Sequence, residues 1–220
     1  MILFSNVSSK LDNDIFLENI SFKINRNEFV FIYDKNRKSL TALRRLLSGS
    51  EKPQEGLIRV MNKYQPSSEI LNTELGTVYR ENILLPDRSI RQNYDFILGF
   101  MGRKRQYNEI RNKKVFAIVG LNKCSNLLPA DLLPHQLVRA NIGQSLLIHP
   151  SVVIFDDATA GLDEVNSQAI FHLMEKVNRL GITIIFLSSD RKMISRNKNK
   201  RVIYLKEGKI LAEKNKGHLG

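Results

Sequence analysis

Two adjacent carboxylates, Asp156 and Asp157, follow four consecutive apolar residues, Val152 to Phe155. A continuous apolar run of this length predicts a buried strand, and it places the acids at the carboxyl end of that strand. Open α/β sheets bind their ligands at this end. A turn, Gly161-Leu162-Asp163, follows closely. We therefore interpret the segment as a candidate ligand site, and the alternative is an ordinary strand capped by acids.

The elements around these acids alternate between strands and helices. Phe29 to Tyr33 is typical of a buried strand, and the helix after it should end at Gly49. A helix from Asn141 to about Ile148 precedes the acid-bearing strand, and another helix after it should stop at Gly181. Ile182 to Leu187 then predicts a second buried strand. Strand, helix and strand at this spacing imply parallel pairing.

The rest of the chain divides into three parts. Alternating apolar residues from Ile20 to Ile24 predict a half-buried strand near the start. The stretch from about Pro86 to Pro134 is typical of helices, with Ser89 as an N-cap and Gly120 as a stop. Near the end, apolar residues on both sides of Glu207-Gly208 predict a hairpin.

Size and composition favour a single globular α/β domain. The chain has 220 residues, 42% of them hydrophobic, which is enough for one large core. No apolar run approaches the roughly 18 residues that a membrane helix needs. Met1 to Val7 does not resemble a signal peptide, and the one cysteine, Cys124, has no intrachain partner. These features predict a cytoplasmic location.

The chain is strongly basic, with a formal net charge of +12. Its cations concentrate at Arg103 to Arg105, at Lys113-Lys114 and from Arg191 to Arg201. Such a charge favours an anionic neighbour, either nucleic acid or a phospholipid surface. Each cluster alone is also compatible with a solvated basic face.

The segment Val152 to Asp163 resembles the Walker B strand and D-loop of ABC ATPases, and other matches follow the order of that family over nearly the whole chain. They include Asn27-Glu28, Leu47-Ser48-Gly49, Pro53, Gly56, Leu85, Ser89-Ile90, Asn93 and His149-Pro150. The chain is most similar to the FtsE family and to the related lipoprotein-export and macrolide-export ATPases. The resemblance implies a P-loop NTPase-like ABC ATPase fold with a mostly parallel core sheet, an N-terminal antiparallel β subdomain and an inserted helical lobe. It implies one domain over 1–220, with the core lobe at about 1–85 and 135–220 and the helical lobe at about 86–134.

The Walker A position departs from the family pattern. A Walker A loop, G-x-x-x-x-G-K-[ST], uses glycines so that backbone N–H groups can surround phosphates, and a lysine to meet their charge. The matching residues here are Asp34-Lys35-Asn36-Arg37-Lys38-Ser39-Leu40-Thr41. Both glycines are replaced, Leu40 stands at the lysine, and only Thr41 keeps a hydroxyl able to contact Mg²⁺. In an alternative register, Lys38-Ser39 forms the Lys-Ser pair, but the loop then loses two residues or begins inside the strand.

The other nucleotide motifs are also substituted. The signature Leu-Ser-Gly-Gly-Gln, which meets the γ-phosphate bound by the opposite subunit, falls on Leu132-Leu133-Pro134-His135-Gln136. His135 could contact an anion or simply start a helix. The Q-loop glutamine falls on Arg80, the switch histidine falls on Ser189, and the aromatic residue that stacks on adenine falls on Leu11.

The acids themselves are partly retained. By position, the resemblance makes Asp156 a Mg²⁺ ligand and puts Asp157 where the family has its catalytic glutamate. An aspartate is one methylene shorter, and a misplacement of about 1 Å can lower a rate about a hundredfold. The resemblance implies ATP and Mg²⁺ as cofactors, whereas the substitutions predict that binding and hydrolysis are impaired.

Three functional hypotheses follow. The first is an FtsE-like pseudo-ATPase at the inner face of the cell membrane, dimeric, docked through Arg80 and the helices after it onto an FtsX-like integral membrane subunit. The second is an ATP-hydrolysing subunit of a lipoprotein- or macrolide-export transporter, which could pair as a heterodimer with an intact subunit. The third is a nucleic-acid-binding adaptor, which the lack of base-stacking aromatic residues and of nucleic-acid motifs disfavours.

Overall fold

The structure is a computed structural model that describes residues 2–11, 14–71, 74–102, 105–197 and 199–214. It has an α/β fold built on two sheets. The strands, in chain order, are β1 (Ile2–Leu11), β2 (Asp14–Ile24), β3 (Phe29–Tyr33), β4 (Glu55–Val60), β5 (Lys63–Tyr64), β6 (Leu75–Val78), β7 (Val152–Asp156), β8 (Thr183–Ser188), β9 (Arg201–Lys206) and β10 (Lys209–Lys214).

The helices connect these strands and cover the larger sheet. They are α1 (Arg37–Leu47), α2 (Ser68–Leu71), α3 (Ile90–Phe100), α4 (Arg105–Val119), α5 (Pro134–Leu146), α6 (Glu164–Arg179) and α7 (Arg191–Arg196). Short 3₁₀ helices lie at Asn122–Cys124 and Pro129–Asp131. No helix within the described ranges combines the length and the apolar character needed to span a membrane.

The smaller sheet is antiparallel, in the order β2-β1-β4-β5. The larger sheet has the order β10-β9-β3-β8-β7-β6, and β3 pairs in parallel with both β8 and β9. β7 is parallel to β6 and β8, while β10 runs antiparallel to β9. The expected parallel core with an antiparallel N-terminal sheet is therefore confirmed.

Alternating side chains of the larger sheet enter two apolar cores. Phe31 and Phe186 face one core, which they share with α3, α4, α5 and α6. Ile32 and Ile185 face the other, which they share with α1 and the antiparallel sheet. Because both faces are covered, the strands consist of continuous apolar runs, which is the pattern that the sequence shows.

Most predicted ends of elements agree with the structure. Ser89 caps α3 in a capping box with Gln92, and Gly49, Gly120 and Gly181 follow helices with positive φ values of 69°, 73° and 90°. The predicted hairpin is β9–β10, whose turn residues Glu207 and Gly208 both have positive φ.

The predicted start of α5 at Asn141 is wrong, because the helix begins at Pro134. A proline fits the first position of a helix, where its missing N–H would have no partner. The side chain of Gln136 accepts a hydrogen bond from the Leu133 N–H at 2.9 Å and satisfies a group that the terminus exposes. The boundaries of the core and helical lobes remain a prediction.

Helices α3, α4 and α5 pack around one buried tyrosine. The ring of Tyr94 stacks on Phe116 with a centroid distance of 4.8 Å, and its hydroxyl donates to the Ala140 carbonyl at 2.8 Å. Burial raises the pKa of Tyr94 well above its ordinary value, so the hydroxyl keeps its proton. Gly143 on α5 leaves the space that this hydroxyl occupies.

Candidate functional site

Asp156 and Asp157 lie where the larger sheet ends. Asp156 is the last residue of β7, and both acids are buried, with 6% and 4% of their surface exposed. The Asp157 N–H donates to the Leu187 carbonyl at 2.9 Å, and its φ of 51° is in the left-handed region. This backbone conformation turns the chain out of the sheet directly after the strand.

Two arginines of α1 reach these acids. Arg44 Nε lies 2.9 Å from Asp156 Oδ2, and the exposed fractions of the two side chains are only 16% and 8%. Arg37 forms an ion pair with Asp157 and lies 4.0 Å from Asp156 Oδ1. The two arginines are seven residues apart, which places them on one face of the helix.

Asp157 also joins the Q-loop and switch positions. It accepts hydrogen bonds from the Ser188 hydroxyl at 3.2 Å and from the Ser189 hydroxyl at 3.0 Å. Arg80 Nη1 lies 3.9 Å from Asp157 Oδ2, with a side chain that is 45% exposed. Three motif positions predicted from sequence, Arg37, Arg80 and Ser189, therefore meet at the carboxylate of a fourth, Asp157.

Arg44 was missed by the sequence motifs, because it lies three residues beyond the Walker A position. Its guanidinium also lies over the ring of Tyr79, 5.1 Å from the centroid. This contact is of the cation–π type and adds a second contact that holds the Arg44 side chain. The seven-residue spacing from Arg37 was the available signal.

The Walker A position forms a compact turn before α1. Buried Asp34 accepts the Asn36 N–H at 2.8 Å, and the Asn36 side chain accepts the Lys38 N–H at 3.0 Å. Backbone donors that a phosphate-binding loop offers to its ligand are thus bonded to side chains of the same turn. Helix α1 already begins at Arg37 with Asn36 as its N-cap.

The remaining residues of this position point in different directions. Lys35 is exposed, and Lys38 Nζ lies 5.6 Å from the centroid of the Phe16 ring. Ser39 and Leu40 are buried, Leu40 within the core shared with the antiparallel sheet. Thr41 is half-buried on α1. The side chain of Leu11 lies outside the described residues.

Four buried polar atoms of this region have no hydrogen-bond partner within the described residues: Asp34 Oδ2, Ser39 Oγ, Arg44 Nε and Asp156 Oδ1. Arg44 Nε therefore meets Asp156 Oδ2 as a close ion pair and not as a hydrogen bond. Burial raises the pKa of Asp156, and the charges of Arg44 and Arg37 oppose this rise without cancelling it. The site is therefore a cluster of charges in which the two acids are buried and several polar atoms lack a hydrogen-bond partner.

The signature position lies at the start of α5. Leu132 is half-buried, Leu133 is the N-cap residue and 57% exposed, and Pro134 is the first helical residue. His135 follows at the helix start, and Gln136 bonds back to Leu133. The side chain of Leu133 offers no cap, and Pro134 has no N–H, so this helix start presents fewer donors than an anion site of this kind uses.

The D-loop position leads into α6. Gly161 has a φ of 83°, Leu162 packs against the core, and Asp163 caps the helix by accepting the Asn166 N–H at 2.8 Å. The hydrogen bonds from Asn166 lower the pKa of Asp163. Asp163 is thus the N-cap of α6, and its carboxylate is used at this helix start rather than beside Asp156 and Asp157.

These residues do not fit a magnesium-bound triphosphate in this arrangement. Asp156, the candidate Mg²⁺ ligand, is paired with Arg44, and Asp157 is paired with Arg37. The residue at the Walker A lysine, Leu40, is part of an apolar core.

Two bacterial ATP-binding proteins match nearly the whole chain. It is 28% identical to the cell division ATP-binding protein FtsE of Mycobacterium tuberculosis, over 93% of this chain and 90% of that protein. It is also 28% identical to the methionine import ATP-binding protein MetN 3 of Bacillus anthracis, over 96% of this chain but 64% of that longer protein.

Solved structures share the fold. The dimeric bacterial ABC transporter cassette MJ0796 superposes with a TM-score of 0.83 at 24% identity, over 98% of both chains. The cbiO1 protein of Clostridium perfringens, part of the ABC transporter complex cbiONQ, gives a TM-score of 0.89 at 24% identity, over 97% of this chain and 88% of that one. The ABC transporter family model matches residues 17–160. The chain therefore belongs to the ABC transporter family, as an ATP-binding-cassette protein with FtsE among its relatives.

Proposed function

We propose that this chain is an FtsE-like cassette subunit that docks onto a membrane partner and does not hydrolyse ATP. One observation carries the proposal: Arg44 and Arg37 of α1 are paired with Asp156 and Asp157. In an active cassette, the aspartate at the Asp156 position meets the Mg²⁺ of the nucleotide complex, and the carboxylate at the Asp157 position acts on the attacking water. Here an arginine of the same chain pairs with each of the two acids.

The surrounding substitutions support the same proposal. The Asn36 and Lys38 N–H groups are bonded within the turn, and buried Asp34 adds a negative charge beside the path of a triphosphate. Repulsion between that carboxylate and phosphate oxygens would weaken nucleotide binding further. Asp157, held by Ser188, Ser189 and Arg37, is not free to orient an attacking water.

The test is a titration of the purified chain with fluorescently labelled ATP and Mg²⁺, together with a phosphate-release assay. We expect no saturation below about 1 mM and no turnover above background. The FtsE protein of Mycobacterium tuberculosis, purified in the same way, serves as the binding control. Submillimolar binding with turnover by this chain would overturn the proposal.

The docking surface of the proposal begins at Arg80 and continues along α3. Ile83, Phe96 and Phe100 expose 45%, 49% and 90% of their surface there. Exposed aromatic residues of this kind serve as anchors in protein interfaces. The relatives named FtsE suggest an FtsX-like integral membrane subunit as the partner, at the inner face of the cell membrane. The dimeric cassette among the solved structures suggests that two such subunits pair.

Co-expression with an FtsX-like membrane protein tests this docking. Phe100→Asp should reduce co-purification of the pair at least tenfold, because it replaces the most exposed aromatic anchor of this surface with a charge. Leu211→Asp is the matched control, since Leu211 is 68% exposed on β10, away from α3. Equal retention of the partner by the wild type and Phe100→Asp would contradict the proposed surface.

A second candidate function is ATP hydrolysis in an export-type transporter, with this chain beside an intact subunit. The observation that favours it is the retention of Asp156 at the end of β7 and of the Thr41 hydroxyl on α1. A mixture of this chain with its intact partner would then hydrolyse ATP faster than the partner alone, and Asp156→Asn would remove the increase.

A further inference from the structure

A cavity lies at the opposite end of the parallel strands from the two acids. It measures about 700 Å³ and is bordered by Val152 and Thr183, the first residues of β7 and β8. Helix α4 and the turn between β4 and β5 form its sides. Cavities of this size accommodate small organic ligands.

The charged residues around this cavity are mainly cations. Arg26, Lys63 and Arg111 are its basic residues, and the carboxylate of Glu74 already pairs with Lys63 at 2.8 Å. Arg26 and Arg111 have no carboxylate partner among the residues that the structure describes. Two positive charges are therefore left without an anion.

Arg111 is the informative member, because it is only partly exposed. Its guanidinium donates to the carbonyl oxygens of Leu146 and Leu147, which are neutral groups. Burial lowers the pKa of Arg111, which reflects the unfavourable removal of its charge from water. The same two hydrogen bonds fix the guanidinium at the wall of the cavity and leave its other N–H donors available.

The rest of the lining fits the carbon part of a ligand. Met61, Ile118, Leu180 and Ile182 provide apolar surface beside the cations. A ligand with a dianionic head and a small apolar body would satisfy both parts of the lining. A phosphate monoester has this composition, and its dianion matches the two unpaired guanidinium charges.

We propose that this cavity binds a small phosphate monoester, with Arg111 and Arg26 on the phosphate and the apolar residues around its organic group. The site is separate from the cluster at Asp156 and goes beyond the proposed docking function. The two proposals can fail independently. The proposed function concerns ATP at the carboxyl ends of the strands, whereas this inference concerns a different ligand at their amino ends.

Phenyl phosphate is the probe, measured by isothermal titration calorimetry on the full chain. We expect Arg111→Gln to weaken binding at least tenfold, because a charge-assisted hydrogen bond is lost.

Arg111 also joins α4 to α5, so Arg26→Gln is the second variant. Arg26 is exposed and outside the regular elements, and this substitution should weaken binding without changing the fold. Inorganic phosphate should bind more weakly than phenyl phosphate because it lacks the apolar body.

Two control variants locate the bound anion. Arg80→Gln removes a guanidinium near Asp157, and Arg191→Gln removes an exposed charge at the start of α7. Both should bind phenyl phosphate like the wild type. The proposal fails if the wild type shows no binding up to about 10 mM. It also fails if Arg80→Gln weakens binding while Arg111→Gln and Arg26→Gln do not, or if Arg191→Gln weakens it as much as Arg26→Gln.

Vesicles containing phosphatidic acid separate a free ligand from a lipid headgroup. At matched phosphate concentration they should not displace phenyl phosphate, because the proposed ligand is a free small molecule inside the cavity. Displacement by the vesicles would overturn that assignment.

Discussion

At the residue scale, Arg44 and Asp156 form an ion pair that is largely shielded from water. Both groups lost hydration when the chain folded, and their attraction compensates for part of that loss. Removal of one partner therefore leaves the other charge buried without compensation. The neighbouring Arg45 provides a comparison, because its pair with Glu51 is more exposed.

Arg44→Met should lower the free energy of unfolding by about 3 kcal/mol, as expected when a buried ion pair loses one partner. Arg45→Met should lower it by less than about 1 kcal/mol, as expected for a pair nearer the surface. Urea denaturation monitored by circular dichroism measures both. Equal effects of the two substitutions would show that the Arg44 pair has no special role in stability.

The pH dependence of stability should reveal the raised pKa of Asp156. In the folded state this carboxyl holds its proton to higher pH than in the unfolded chain, so the folded state binds more protons within that window. The free energy of unfolding of the wild type should therefore fall relative to that of Asp156→Asn as the pH rises above about 3.9. Urea denaturation of both proteins across this range measures the difference. A wild type that gains stability relative to the variant as the pH rises would contradict the expectation.

At the scale of elements, the contact between α3 and α5 depends on the absence of one side chain. A Cβ atom at Gly143 would overlap the hydroxyl of Tyr94, which is fully buried and bonded to Ala140. Gly99 on α3 is the opposite case, since a Cβ there would meet nothing within 4 Å. The same substitution should therefore have opposite effects at the two positions.

Gly143→Ala should destabilise the fold by about 1 to 3 kcal/mol through overpacking. Gly99→Ala should stabilise it by up to about 1 kcal/mol, because alanine has the higher helix propensity. Urea denaturation midpoints report both effects. If both substitutions stabilise the protein, the close packing of Tyr94 against α5 is wrong.

The elements also show what local sequence patterns can predict. Continuous apolar runs identified β3, β7 and β8, because burial on both faces leaves no polar position in such strands. The start of α5 was predicted wrongly, because Pro134 was interpreted as the end of the preceding helical stretch. A proline can equally be the first residue of a helix, as Pro134 is here. The ion pair between Arg44 and Asp156 joins residues far apart in sequence. The seven-residue spacing of Arg37 and Arg44 indicates only that they share one face of α1, and it does not indicate that this face meets the two acids.

At the scale of the whole molecule, the net charge of +12 is the dominant property. A field of this size attracts anionic surfaces, and the proposed place beside a membrane supplies one in the acidic lipids of the inner leaflet. Nucleic acid is the competing polyanion. Salt dependence and lipid composition distinguish the two.

The chain should sediment with vesicles that contain phosphatidylglycerol at about 50 mM salt and detach at about 500 mM, where the Debye length is only a few ångströms. Neutral phosphatidylcholine vesicles are the control and should not retain it. Stronger retention on duplex DNA than on the anionic vesicles at equal salt would favour the nucleic-acid hypothesis instead.

The burial of Leu40 limits which substitutions the fold can accept at the Walker A lysine position. Leu40 is 1% exposed and packs with Leu43 and Ile32 in the core beneath the antiparallel sheet. A mutation that introduced lysine there would insert an ammonium group among apolar side chains and destabilise the fold before it could help to bind a phosphate. Under the proposed function, a nucleotide site would need coordinated changes in the turn, in Leu40 and in both arginines. A single Leu40→Lys substitution would therefore not create one.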